Sequence, residues 1–299
     1  MIKIRRGIDI PLAGAADSNI DSSLNVRNVA LVGADYEGMK PTMAVSEGDT
    51  VRKGQIIFSD KKTLSINFTA PASGKVVALN RGARRVFQSL VIEIDDSLEP
   101  VDFGAHRLQE ARALSGEAIR NQLISSGQWT ALRARPYGKV ADPESQPAGL
   151  FITAIDTHPL APDPAAIIAE HAEAFALGQD LLAEMANCST YLCTAPGTDI
   201  PKGEHARVEL AEFSGPHPAG LAGTHIHFLM GASLGKIAWT VGYQDVIAVG
   251  YLFLKGELYT DRVVALAGPE VERPRLMRTR VGADLQALTA GELAAGDVR

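Results

Sequence analysis

The chain has 299 residues, 46% of them hydrophobic, with 35 acidic against 29 basic side chains and a formal net charge of −6. That is apolar material for two or three buried cores, and without a block of like charge it gives no sign of a nucleic-acid surface or a polybasic membrane patch. The only cysteines, Cys188 and Cys193, fit neither a disulfide framework nor a four-thiolate metal or iron–sulfur site, so a reducing, cytoplasmic compartment is expected.

The opening "MIKIRRGIDIPLAG" carries charge but no sustained apolar core, because Asp9 interrupts it, so no secretory signal is expected. From Asn28 to Glu93 short alternating runs ("NVALVG", "QIIFSD", "LSINFT", "GKVVAL", "SLVIEI") are cut by turns at "EGD", "RKG", "PASG" and "NRG". Those spacings predict a small all-β unit. Within it, "SEGDTVRKGQIIFSDKKTLSINFTAPASGKV" resembles a biotinyl/lipoyl-type barrel-sandwich hybrid. Lys61 or Lys62 lies near where a carrier domain holds its modified lysine, but "KKTLSINF" lacks the context of an exposed carrier tip, so a scaffold module is the expectation.

After "DDSLEPVDF" the period lengthens. "SGEAIRNQLISSG" predicts a helix capped by Ser115, "GLFITAI" a strand, "PDPAAIIAEHAEAFALGQDLLAEMA" one long helix with Pro162 and Pro164 near its start, and "STYLCTA" another strand. Strand–helix–strand order predicts an α/β layer with a mostly parallel sheet. No G-x-G-x-x-G is present, and "GASLGKI" is one residue short of a P-loop and lacks its Ser/Thr. In "SGPHPAGLAGTHIHFL" a helix is expected from about Pro218; His225 and His227 would then lie roughly 200° apart and could not chelate together, so no metal site is expected. "DVIAVGYLFLK" is far short of the roughly 20 apolar residues that cross a bilayer. "RVVALAG" reads as a strand, and "PEVERPRLMRTRVGADLQALTAGEL" as a turn-rich stretch that stops before its unit looks complete, as in a fragment.

The stretches "RRGIDIPLAG", "GMKPTMAVSEGDTVRKGQIIFSDKK", "LNRGARRVFQSLVIE", "GQWTALRARPYGKV", "SGPHPAGLAGTHIHFL" and "YQDVIAVGYLFLKGELYTDRVVALAGPEVERPRLMRT" together resemble the A subunit of the bacterial sodium-translocating NADH:quinone oxidoreductase, over essentially the whole chain. The resemblance implies three units: an N-terminal region with the barrel-sandwich hybrid (1–102), a Rossmann-like α/β domain related to the complex I flavin subunit (103–256), and the start of a β-grasp, soluble-ligand-binding (SLBB) domain (257–299). It implies a peripheral subunit on the cytoplasmic side of the inner membrane, partnered by the membrane-embedded B subunit. FMN, FAD, riboflavin and iron–sulfur would be carried by other subunits, and ubiquinone would be the ligand here. Candidate quinone contacts are Tyr36 and Met39 in "VGADYEGMKP", Trp129, Arg133, Arg135 and Tyr137 in "GQWTALRARPYGKV", and His217. Exposed loops that serve as an interface explain both stretches too, and a cofactor-free scaffold is the competing expectation.

Overall fold

The computed structural model describes residues 1–22 and 26–294. Two small antiparallel sheets build the first unit. One orders the strands Asn28–Val32, Phe87–Ile94, Gly74–Arg81 and Thr50–Val51; the other orders Pro41–Met43, Ile56–Asp60 and Asn67–Thr69. Alternation buries Val29, Leu31, Phe68, Leu90 and Ile92 in the core of this unit, and an irregularity between Ile56 and Phe58 lets the consecutive Ile57 and Phe58 both be buried. Phe58 stacks on Phe68 at 4.6 Å between ring centroids. This is the small all-β unit that the turn spacing predicts, in the barrel-sandwich arrangement that the stretch from Ser46 to Val76 resembles.

The middle unit is a seven-stranded sheet in the order Ile2–Lys3, Val208–Ser214, Thr190–Thr194, Gly149–Ala154, Ala238–Gly242, Arg133–Arg135, Lys139–Val140. The first five strands run parallel, and the last two form an antiparallel hairpin on the edge. Period two divides the central strand: Leu150 and Ile152 join the main core, whereas Phe151 joins a second cluster with Cys193, Phe213 and Ile226 on the opposite face. Both faces are thus covered, which is why these strands read as apolar runs. Ser115 caps the helix Gly116–Ser125 by accepting from the Ala118 N–H. The single long helix expected after Pro162 is instead two, Pro164–Ala169 and Ala172–Ala186. His171 leaves helical geometry between them, its ring held by the hydroxyls of Tyr251 and Tyr259 at 3.0 and 3.2 Å. The next expected helix begins at Ala222, not Pro218, because residues 216–221 form tight turns pinned by the Gly220 N–H on Thr157 Oγ1.

In the third unit the stretch expected to be turn-rich contains a strand, Arg275–Arg280, antiparallel to Asp261–Leu266 and parallel to Ile20–Asp21. Its arginines masked the pattern. Leu276, Met277 and Thr279 are buried, while Arg275 pairs with Glu292 and Asp21, Arg278 with Glu170 of the middle unit, and Arg280 with Asp96 of the first. The helix Leu285–Thr289 follows. No described helix is long and apolar enough to cross a membrane.

Candidate functional site

Two loops from different units meet where the barrel packs on the sheet edge. In the first, a 3-10 turn at Gly33–Asp35 is followed by Tyr36, whose N–H donates to Gly33 O, and by Met39, whose N–H donates to Tyr36 O. The Tyr36 ring lies edge-on to Phe68 at 4.7 Å, and Met39 is half-buried against the core. The second loop starts at Gly127, in the left-handed region at φ 77°, where a Cβ would fall 2.5 Å from Thr69 Oγ1; glycine suits both the conformation and this close approach of the Thr69 side chain. Thr69 Oγ1 seals the junction by donating to Ser126 O at 2.8 Å. A short 3-10 segment, Gln128–Ala131, then leads into the edge hairpin that carries Arg133.

The junction brings Tyr36 and Arg133 together, with the guanidinium 5.2 Å from the phenol ring centroid. That is within the range of a cation–π contact. Arg133 Nη1 is buried without a hydrogen-bond partner among the described residues. Beside the pair, a cavity of about 190 Å³ is lined by Phe68, Gln128, Asp245 and Arg262 as well as by both side chains. On the other side of Tyr36 opens a cleft of about 750 Å³ that also takes in Met39, Lys40, Arg81, Arg84 and Arg85. Burial raises the Tyr36 pKa above its usual value, opposed by Arg133, so the phenol stays protonated and can donate a hydrogen bond. A protonated phenol and an unsatisfied guanidinium N–H can together hold a carbonyl oxygen and favour negative charge developing on it.

The other expected residues lie elsewhere. Trp129 is a core residue: it is fully buried, donates from Nε1 to Ala141 O at 2.7 Å, and meets Trp239 edge-to-face at 5.4 Å. The expectation of a loop indole offering its face to a ring is corrected, because the 3-10 turn points the side chain inward. Arg135 stands in the edge hairpin with Nε buried and unpartnered among the described residues, and Tyr137 at the hairpin tip is 61% exposed. His217 belongs to another place. Its parent strand is four positions from the Arg133 strand, roughly 19 Å at normal strand spacing. There His217 Nδ1 sits 3.1 Å from both Thr157 Oγ1 and Thr157 O, and Asp9 Oδ1 accepts from its backbone N–H. These contacts fold residues 215–221 over the carboxyl ends of the parallel strands, the place where open α/β sheets receive ligands. In the helix beyond, His225 is buried and His227 exposed. Lys62 Nζ donates to Gly38 O at 2.9 Å, tying the carrier-like hairpin to the Tyr36 loop.

Sequence reasoning missed the ion pair Asp245–Arg262, 2.5 Å apart on the cavity wall, and the basic tip Arg81–Arg85. Nothing local marks the first. The second has a signal in "NRGARRV", where Arg81, Arg84 and Arg85 crowd one turn.

Three family models match in succession: the NqrA N-terminal barrel-sandwich hybrid domain at residues 2–95, the NqrA second alpha/beta domain at 114–258, and the NQRA C-terminal domain at 263–299. Among curated relatives, the A subunit of the Na(+)-translocating NADH-quinone reductase from Pseudomonas aeruginosa is 52% identical over 299 residues, covering the whole chain and 66% of the relative. The proteins of the same name from Alcanivorax borkumensis and Yersinia pseudotuberculosis are 50% and 52% identical, with 67% of each covered. The chain thus spans about two thirds of the length of these relatives. Among solved structures, an NAD+-reducing [NiFe]-hydrogenase in the air-oxidised state aligns at a TM-score of 0.44 and 14% identity, covering 64% of this chain and 44% of that one. With half of its residues shared end to end and all three domain models in order, the chain belongs to the family of the A subunit of the Na(+)-translocating NADH-quinone reductase.

Proposed function

We propose that this chain works as part of a sodium-translocating NADH:quinone reductase, as a peripheral subunit on the cytoplasmic side docked to the membrane-embedded B subunit, and that it contributes to ubiquinone binding. FMN, FAD, riboflavin and the iron–sulfur centre belong, in this reading, to other subunits. The observation that carries it is the Tyr36–Arg133 junction: a protonated phenol and a guanidinium, one of whose N–H groups is buried and orphaned, both lining a cavity with an aromatic wall. A quinone head group asks for such a slot, mostly apolar with a few donors for its carbonyls. Met39 lines the cleft beyond Tyr36, Arg135 stands two residues after Arg133 in the same strand, and Trp129 is packed in the core.

The test is calorimetric titration of a short-chain ubiquinone analogue into the chain. Saturable binding weakened about tenfold in Arg133→Ala and to a lesser degree in Tyr36→Phe, as expected for loss of one donor each, supports the reading. Binding that is absent, or indifferent to both substitutions, returns the chain to the scaffold reading, for which the exposed hairpin tip at Tyr137 is the favouring observation.

A further inference from the structure

The charge of the whole chain is −6, and its densest local groups of basic residues are short, as in "KIRR" and "RGARR". The fold nevertheless collects cations from four separate segments onto one face. Lys40, Arg81, Arg84 and Arg85 line the open cleft beside Tyr36. The cleft passes at Gly38 into a second group, since a Cβ on Gly38 would lie 3.9 Å from both Lys62 Nζ and Lys139 Nζ. None of these six side chains forms an ion pair among the described residues, whereas the arginines on the third unit's second strand are all matched to carboxylates. Three nearby acids stand against the cluster: Asp35, Glu37 and Asp60, the last accepting from the backbone N–H groups of Lys40 and Lys62.

Large apolar side chains stand exposed among the cations: Val86 at 62% beside Arg85, Leu64 at 69% beyond Lys62, and Tyr137 at 61% with Lys139 Nζ 6.0 Å from its ring centroid. An acidic peptide would use the charges and leave these three in water. An anionic bilayer surface uses both, because cations meet the headgroups while aliphatic and tyrosyl side chains enter the interfacial layer.

We infer that this face rests on an anionic phospholipid leaflet, with Lys40, Lys62, Arg81, Arg84, Arg85 and Lys139 as its electrostatic contacts and Leu64, Val86 and Tyr137 as its shallow anchors. The inference does not depend on quinone binding, and its test contains no quinone. The chain is sedimented with phosphatidylcholine vesicles, with or without about one quarter phosphatidylglycerol, a fraction that gives the surface an anionic potential. Sedimentation with the anionic vesicles alone, weakened at least roughly tenfold by Arg84→Glu/Arg85→Glu and partly by Arg84→Gln/Arg85→Gln, is expected. Arg5→Glu/Arg6→Glu is the control, since the strand Ile2–Lys3 forms the opposite edge of the seven-stranded sheet from the Lys139 hairpin. Failure to bind anionic vesicles overturns the inference, as does loss of binding only in the Arg5/Arg6 control. Binding of polyglutamate by the cluster in the absence of vesicle binding overturns it too, in favour of an acidic protein partner.

Discussion

The His225 ring is fully buried, 4.3 Å from the Phe213 ring centroid. Nε2 lies 2.9 Å from Ala219 O, a contact that only an Nε2–H can make, so Nδ1 is bare; it has no partner among the described residues. Protonating Nδ1 would put a charge and an unmatched N–H into an apolar cluster, which is why burial depresses the pKa to about 4. In the unfolded chain the imidazole titrates near its ordinary value of 6.5. Between those values the unfolded state binds the extra proton, so stability is full above about pH 6.5 and falls as the pH drops toward 4. Lowering the pH from 7 to 5 is expected to cost about 2 kcal/mol through this residue. Urea denaturation at the two pH values checks it, and His225→Gln should flatten the difference. The burial was hard to foresee: "THIHF" shows a helix, but only the packed sheet decides which imidazole points inward.

At the scale of elements, the helices Ala172–Ala186 and Tyr243–Lys255 pack together through glycines. A Cβ on Gly250 would fall 1.9 Å from Ala174 O, and one on Gly178 would fall 2.1 Å from Val246 O. Replacing a mid-helix glycine by alanine gains about 1 kcal/mol of helix propensity. Here the added methyl meets backbone, which cannot rotate away. Gly250→Ala is therefore expected to destabilise, by roughly 1–3 kcal/mol as in other overpacked cores, and a lowered urea midpoint checks the sign. The central strands were legible as apolar runs: "GLFITAI" and "STYLCTA" are strands because runs buried on both faces need no polar alternation. Arg275–Arg280 was not legible, since its polar positions answer to partners far away in sequence, Asp21, Asp96 and Glu170, and no local pattern encodes them. The site divides in the same way. The loops holding Tyr36 and Arg133 could be nominated separately, but their meeting depends on the docking of Thr69 against Gly127.

Across the whole molecule, one strand links the three units by ion pairs of unequal weight. Arg275 and Glu292 have side chains only 12% and 11% exposed, so Arg275→Ala removes two short charge-assisted bonds, leaves Glu292 with Arg273 alone at 3.4 Å, and is expected to cost about 2 kcal/mol. Arg280 holds Asp96 through two bonds at 2.7 and 2.8 Å, but Asp96 is 65% exposed, and Arg280→Ala should cost about 1 kcal/mol or less. Chemical denaturation of the two variants side by side distinguishes these. The same stitching governs the strands near the start of the chain. Ile2 pairs with Phe213, and Ile20 pairs with Leu276, so both short strands complete sheets whose other members lie far downstream. At ribosomal speeds of about 5–20 residues per second, Ile2 emerges some 10–40 s before its partner. The barrel, closed by neighbours within about 70 residues, can be finished while the arm ahead of it still hangs free. Synthesis order and assembly order therefore run against each other, and a strand made early is among the last to find its place.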